Sequence, residues 1–271
     1  MTVILPHTVL PNASAATLLP SERHPATRPA RPVPHAPLSP ALSKLLARLP
    51  VQDDCNGLRK ILAHTGTAFN PDLLTSEAER RARLEGVHAA LDRAESLVFL
   101  DTESTGGRNG RLIEVGLVET DVEQNITGGL HFRCNPHRRS QARARRVHGI
   151  QDCELEHCPE FAARADELLE AVRGKTVVIH DRTMDLLWLN RELQAARPGA
   201  PRFEDCCTVV DSFVLARAIP SERRRNGLDA LLEWYGLGAR GGHHDAYGDA
   251  ALLSRVFFEL WWDLDEWLYG E

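Results

Sequence analysis

The sequence predicts an α/β fold: a mixed five-stranded sheet flanked by helices, with an N-terminal extension. Three observations point to it. Three strand-like runs follow one another between Leu97 and Pro136 with only short links. Two further short apolar runs are set apart by stretches with the 3.6-residue period of amphipathic helices. The segment from about residue 41 to 95 reads as helical and precedes the first strand.

Taken in order, residues 1–40 are rich in Pro, Ala, Ser and Thr. They cannot bury enough apolar surface to offset chain entropy and read as a disordered arm. The start lacks a basic region, and Pro6, His7 and Pro11 interrupt its apolar run, so no secretory leader is read there. Residues 41–95 carry two helical stretches, "SPALSKLLARL" and "TSEAERRARLEGVHAALDRAES", the second with Ser76 as a candidate cap. "LVFLD" from Leu97 is a buried strand. Arg111–Asp121 and Gly128–Pro136 are two more, joined by a turn near Asn125, which suggests an antiparallel meander. "PEFAARADELLEAVRG" places Phe161, Ala165, Leu168, Leu169 and Val172 on one helical face. "KTVVIH" is the fourth strand, "MDLLWLNRELQAA" a helix and "CCTVVD" the fifth strand. Two helices close the chain, "NGLDALLEWYGL" and the long "DAYGDAALLSRVFFELWWDLDEWL". The strand–helix order βββαβαβαα is that of a mixed sheet with helices on its faces.

Composition excludes some classes. The chain has 271 residues, 43% hydrophobic and 26% charged, as soluble globular proteins do. No apolar run approaches the ~20 residues of a membrane helix. Six cysteines without a CxxC pair suit free thiols in a reducing cytosol, and the expected location is cytoplasmic. A zinc site from Cys153, His157 and Cys158 matches no standard spacing. The first 50 residues hold one acid and five bases, net +4; the whole is −6, so the remainder is −10 and has no global basic footprint. It has local ones: Arg138, Arg139, Arg143, Arg145 and Arg146 fall within nine positions, and Arg223, Arg224 and Arg225 are consecutive.

The chemistry is carried by carboxylates. Asp101 and Glu103 end the first strand, on the same side of it by the period-2 rule. Asp185 follows the fourth strand, and Asp249 lies in the last helix beside Ala246, Gly248 and Ala250. Singly, each reads as a turn polar, a helix cap or an exposed acid. Together they suit magnesium or manganese, which prefer hard oxygen ligands, and a phosphodiester chemistry with two ions ~4 Å apart. His244 stands five residues before Asp249, where an imidazole can take a proton from water; His243 is the competing candidate.

These residues resemble the DEDDh 3′→5′ exonuclease family, and within it the proofreading branch that serves bacterial replicative DNA polymerases. The family's first motif, Asp-x-Glu-x-Thr-Gly, appears as "DTESTG"; its second, His-Asn-x-x-x-Asp after an apolar strand, as "VVIHDRTMD"; its third, His-x-Ala-x-x-Asp-Ala, as "HDAYGDA". "VHGI" and "VVDSFVLARAIP…RRNGLDALLEWYGL" also look like the family's linking segments, and the likeness runs from about Leu97 to Leu260. The family's tyrosine variant would put Tyr at position 245, where Asp stands.

The resemblance implies a ribonuclease H-like fold and an exonuclease domain over 96–271. It implies two ions, Mg2+ or Mn2+, held by Asp101, Glu103, Asp185 and Asp249, with His244 as general base. Thr105 and Gly106 would lie by the terminal nucleotide and His148 near the substrate. The expected partner is a single-stranded DNA 3′ end, with RNA as the alternative polymer and a non-catalytic binding module as the alternative class. Asp181 replaces the family's Asn, and Met184 its aromatic, which leaves substrate preference open. Related proofreading subunits bind polymerase and clamp through a C-terminal tail. This sequence stops at "DEWLYGE" after its last helix, so a stand-alone or differently tethered enzyme is expected.

Overall fold

The computed structural model describes residues 77–270. The expectations for the arm, for the first helical stretch and for the Ser76 cap lie outside the described residues.

The sheet has the order β3-β2-β1-β4-β5. Strands β1 (Ser96–Ser104), β2 (Leu112–Asp121) and β3 (Ile126–Arg133) form the expected antiparallel meander. Strands β4 (Thr176–Ile179) and β5 (Thr208–Asp211) extend it in parallel from the other edge of β1. Strand β4 is buried between layers, which is why it reads as a short apolar run rather than an alternating one; β5, at the sheet edge, is only partly buried.

Strand β1 divides the core in two. Leu97 and Phe99 pack toward helices α1 (Glu77–Leu91) and α9 (Ala246–Tyr269). Val98 and Leu100 pack toward α4 (Ala165–Val172) and α5 (Thr183–Ala196). Side-chain alternation along one strand thus feeds two helical layers. Helix α1 is part of this core: Leu84 and Leu91 are buried, and Arg81 and His88 bond to Leu268 and Asp265 at the far end of α9. The boundary drawn at residue 96 leaves this helix in the extension.

Several short helices escaped the sequence reading. The arginine run forms α2 (Ala142–His148), followed by α3 (Asp152–Leu155). The segment expected as one helix from Pro159 splits into a 3-10 turn at Phe161–Ala163 and α4, broken at Arg164. Helix α6 (Phe203–Cys206) leads into β5, and α7 (Ser212–Ala218) starts where the Asp211 carboxylate accepts from the Phe213 and Val214 amides. The expected helix α8 (Leu228–Trp234) precedes α9.

One glycine sets how α9 meets the sheet. A Cβ on Gly116 of β2 would fall 2.2 Å from the Ala246 carbonyl carbon. The first turn of α9 therefore lies directly on the β2 backbone, a contact only glycine permits. Gly116 pairs with Asp101 across the strands, so this contact brings α9 beside the first carboxylate.

Candidate active site

The site lies at the C-terminal ends of the parallel strands β1 and β4, where α5 and α9 begin. Asp185 is the third residue of α5 and Asp249 the fourth of α9. The unpaired amides of a helix N-terminus favour negative charge there. Asp101 and Glu103 project from the α9 side of β1; Thr102 between them points the other way. Its hydroxyl donates to Asp185 Oδ1 at 2.6 Å and orients that carboxylate.

Asp101, Glu103, Asp185, Asp249 and His244 are brought together. Asp185 is 7% exposed and Asp249 3%. Burial, followed by repulsion from Asp185, Glu103 and Asp249, pushes the Asp101 carboxyl well above its ordinary range. Burial and repulsion from Asp249, Glu114 and Asp185 raise Glu103 to about 8. Burial raises Asp185 to about 6, held back by the Thr102 hydrogen bond. These shifts are the signature of like charges crowded in a desolvated cleft. His244 Nδ1 stands 3.3 Å from Asp249 Oδ2 and 3.9 Å from Glu103 Oε1. One ligand atom from each of these three residues falls within 4.8 Å of the others, the one such cluster among the described residues; Cys153, His157 and Cys158 form none.

The other expected residues are placed differently. Thr105 is buried, and its hydroxyl accepts from the Arg111 amide at 2.9 Å, which closes the loop after β1. Gly106 has φ of 99° and abuts α2, 3.0 Å from Ala144 Cβ to an added Cβ. His148 is buried; its Nδ1 accepts from the Ile150 amide, its Nε2 has no hydrogen-bond partner, and burial lowers its pKa. His243 packs on Gly149 at the end of α2 and lies outside the acid cluster. Asp181 does not cap α5. It sits at φ 57°, and its amide donates to Asp211 Oδ1. Asn and Asp are both among the non-glycine residues that adopt this left-handed backbone.

Two residues the sequence reading missed shape the site. Glu114 of β2 is fully buried; it accepts from the Ala246 amide at 3.0 Å, from His131 and from Arg133, fixing the start of α9. Its signal was an acid inside an otherwise apolar strand. Arg240, in the loop before α9, reaches into the cluster. Its Nη1 lies 2.5 Å from both Asp249 Oδ2 and His244 Nδ1, and its Nε 2.9 Å from Asp229. Among "GLGARGG" nothing marked it.

A cleft of this kind, at the strand ends of a mixed sheet and lined by clustered carboxylates and a histidine, is that of a hydrolytic nuclease. The chain matches the model of the exonuclease family (RNase T) over residues 98–257 and belongs to that family. The expected class, a 3′→5′ exonuclease, is borne out by that membership and by its relatives. It is 36% identical over 168 residues to the DNA polymerase III subunit epsilon of Rickettsia conorii, covering 60% of this chain and 72% of that one. With the subunit epsilon of Escherichia coli K12 it shares 33% over 172 residues, 60% of this chain and 70% of that one. Among solved structures, E. coli exonuclease I in complex with a dT13 oligonucleotide aligns with TM-score 0.52 at 19% identity. That alignment covers 64% of this chain and 41% of exonuclease I, so the chain spans less than half of that protein. A 3′-exonuclease described in 3′-end recognition of histone mRNA stem-loop aligns with TM-score 0.53 at 15% identity, over 63% of this chain and 83% of that one. These likenesses establish the ribonuclease H-like fold. Among the described residues no helix is long and apolar enough to cross a membrane.

Proposed function

We propose that the chain removes nucleoside 5′-monophosphates from the 3′ ends of single-stranded DNA. Asp101, Glu103, Asp185 and Asp249 hold two magnesium or manganese ions, and His244 is the general base. The observation that carries this reading is the convergence of four carboxylates and one imidazole at one strand end. The donor set is all carboxylate oxygen, which fits hard divalent cations. Ions bound there supply Lewis-acid stabilisation of charge on the phosphodiester oxygens.

The protein's own groups do the rest. Thr102 aims Asp185, and Glu114 with Gly116 fixes the turn that carries Asp249. His244 takes the proton of the attacking water at Nδ1, the ring nitrogen beside Glu103 and Asp249. Its backbone amide donates to the Val147 carbonyl, which ties the base to the end of α2. The unpartnered His148 Nε2 supports a role for that residue in gripping substrate. Thr105 and Gly106 shape the nucleotide's wall through the backbone of the loop they close. Next to His244, a cavity of about 360 Å3 is lined by Ala142, Arg145, Arg146, Gly149, Gln151 and His243. This basic hollow supports a path for the strand's phosphates along α2.

DNA as the polymer, and a polymerase as the partner, rest on relatives named as subunits of DNA polymerase III. A cytoplasmic setting fits the five described cysteines, all free thiols. The test uses matched DNA and RNA oligonucleotides, single- and double-stranded, labelled at the 3′ or 5′ end, with Mg2+ or with EDTA. Metal-dependent release of mononucleotides from the 3′ end of single-stranded DNA is expected. Preferential digestion of RNA would replace the polymer, and full activity in EDTA would sink the metal reading.

A further inference from the structure

We propose that Arg240 is a cationic latch on the active site, one that has to leave the Asp249 carboxylate before a divalent ion can take it. The inference rests on the metal-site reading above and concerns a residue outside the motifs. Its geometry is specific. Its Nη1 lies 2.5 Å from His244 Nδ1 and 3.1 Å from Nε2, so the guanidinium sits against the imidazole ring. The same Nη1 donates to Asp249 Oδ2, so one guanidinium nitrogen engages an expected metal ligand while it touches the ring of the expected base. Its Nε is held by Asp229, an exposed residue of α8. The side chain is only 13% exposed, while Asp249 is 4% exposed at its side chain, so the pair is desolvated. Two cations cannot share one carboxylate oxygen at such distances without strong repulsion. Arg240 and a metal ion therefore compete for Asp249.

The loop is built to let the guanidinium swing. At Gly238, Gly241 and Gly242, on both sides of Arg240, an added Cβ would meet nothing within 4 Å, so the loop packs against little. His244 itself is pinned to Val147 by its backbone. The latch can thus open while the base stays in place. It gives the carboxylates a cation of their own and makes metal loading an exchange rather than an addition.

The test measures Mn2+ affinity by calorimetry on the full chain for the wild type, Arg240→Gln and Asp229→Ala, with circular dichroism to check folding. Arg240→Gln should bind Mn2+ about tenfold more tightly. Asp229→Ala decides between a latch and a plain field effect. Losing an acid should weaken cation binding through the field; releasing the latch should tighten it, by about threefold for an exposed pair. In a 15N-arginine-labelled sample, the Arg240 Nε–H signal, assigned by its loss in Arg240→Gln, should lose its protection from exchange on saturation with Mg2+. Unchanged or weaker Mn2+ binding in Asp229→Ala, or a signal that stays protected at saturating Mg2+, overturns the latch while the metal site stands. A wild type that binds neither Mn2+ nor Mg2+ overturns both.

Discussion

Glu103 and Glu114 face each other across β1 and β2 as a register pair, both buried, and they are opposites in charge behaviour. Glu103 is raised to about 8 and Glu114 is lowered to about 2. Burial disfavours the anion in both. Glu114 overcomes it because His131, the Ala246 amide and Arg133 all donate to its carboxylate. Glu103 has no such donors; its neighbours are other carboxylates, opposed by Arg240 alone among its strongest influences. One register step therefore holds a satisfied anchor and an unsatisfied site. The anchor fixes helix α9, and the site keeps unmet demand for positive charge. Demand of that kind is what a metal centre requires and a structural ion pair lacks.

The contrast can be broken most forcefully at the site. Asp101→Ala or Asp249→Ala should cut kcat by about 10³-fold or more in an oligonucleotide assay while circular dichroism stays native, since several kcal/mol of charge stabilisation is lost. Retained turnover in either would remove that carboxylate from the centre. His244→Gln should lower kcat by ~10²–10⁴ and leave Mn2+ affinity close to wild type, as a base would. A matching loss of Mn2+ affinity would instead make His244 a ligand, an arrangement its distance to Asp249 also allows.

Stability sharpens the comparison. Glu114→Gln should destabilise the fold by about 2–4 kcal/mol in denaturant titration, because it weakens charge-assisted hydrogen bonds and leaves groups unsatisfied. Glu103→Gln, measured in EDTA, should melt at or above the wild type. The two acids also predict opposite pH windows. Glu103 is raised in the folded state, so its contribution with EDTA is greatest at low pH and is lost as pH rises from about 4.5 through about 8. Glu114 is lowered, so its contribution is full above about 4.5 and is lost as pH falls toward about 2. Metal-free melting temperature that climbs steadily between pH 5 and 8 would contradict the assignment of Glu103. The smallest effect belongs to the surface. Reversing Arg139, Arg143 and Arg146, which are exposed or partly so, should raise KM a few-fold with little change in kcat, and flatten the salt dependence of binding. An unchanged salt slope would reduce the run to a solvated helix face.

Strands β1, β4 and β5 were legible as short apolar runs, β2 and β3 as mixed apolar stretches flanking a turn, and the long helix because its period is sustained. Helices α2 and α7 were not: α2 is mostly Arg and Ala with no apolar stripe, and α7 depends on a cap supplied by the last residue of β5. At the site, the acids and His244 stood out only as a set, in three motifs that resemble the exonuclease family in order; singly each has an ordinary structural use. Thr105 was expected by the terminal nucleotide; that its hydroxyl accepts from the Arg111 amide depends on the loop's path and not on spacing. Arg240 was invisible for the same reason: an arginine in a glycine-rich loop reads as solvent-exposed until the loop is seen to turn inward. Asp181, which replaces the family's Asn, has a left-handed backbone that no spacing in the sequence announces.

Gly116 carries a consequence for how this gene would tolerate change. The residue has no side chain, binds nothing and sits in the middle of a strand, yet a single methyl there would collide with the backbone of Ala246 and displace the turn that bears Asp249. An allele with that substitution would keep every carboxylate and the histidine and still encode a crippled product. In a random-mutation screen for loss of activity, codon 116 should therefore rank with the codons of the charged residues. Many surface arginines could be replaced at no visible cost. The vulnerable positions of the gene are defined by where backbones touch as much as by where the chemistry is written.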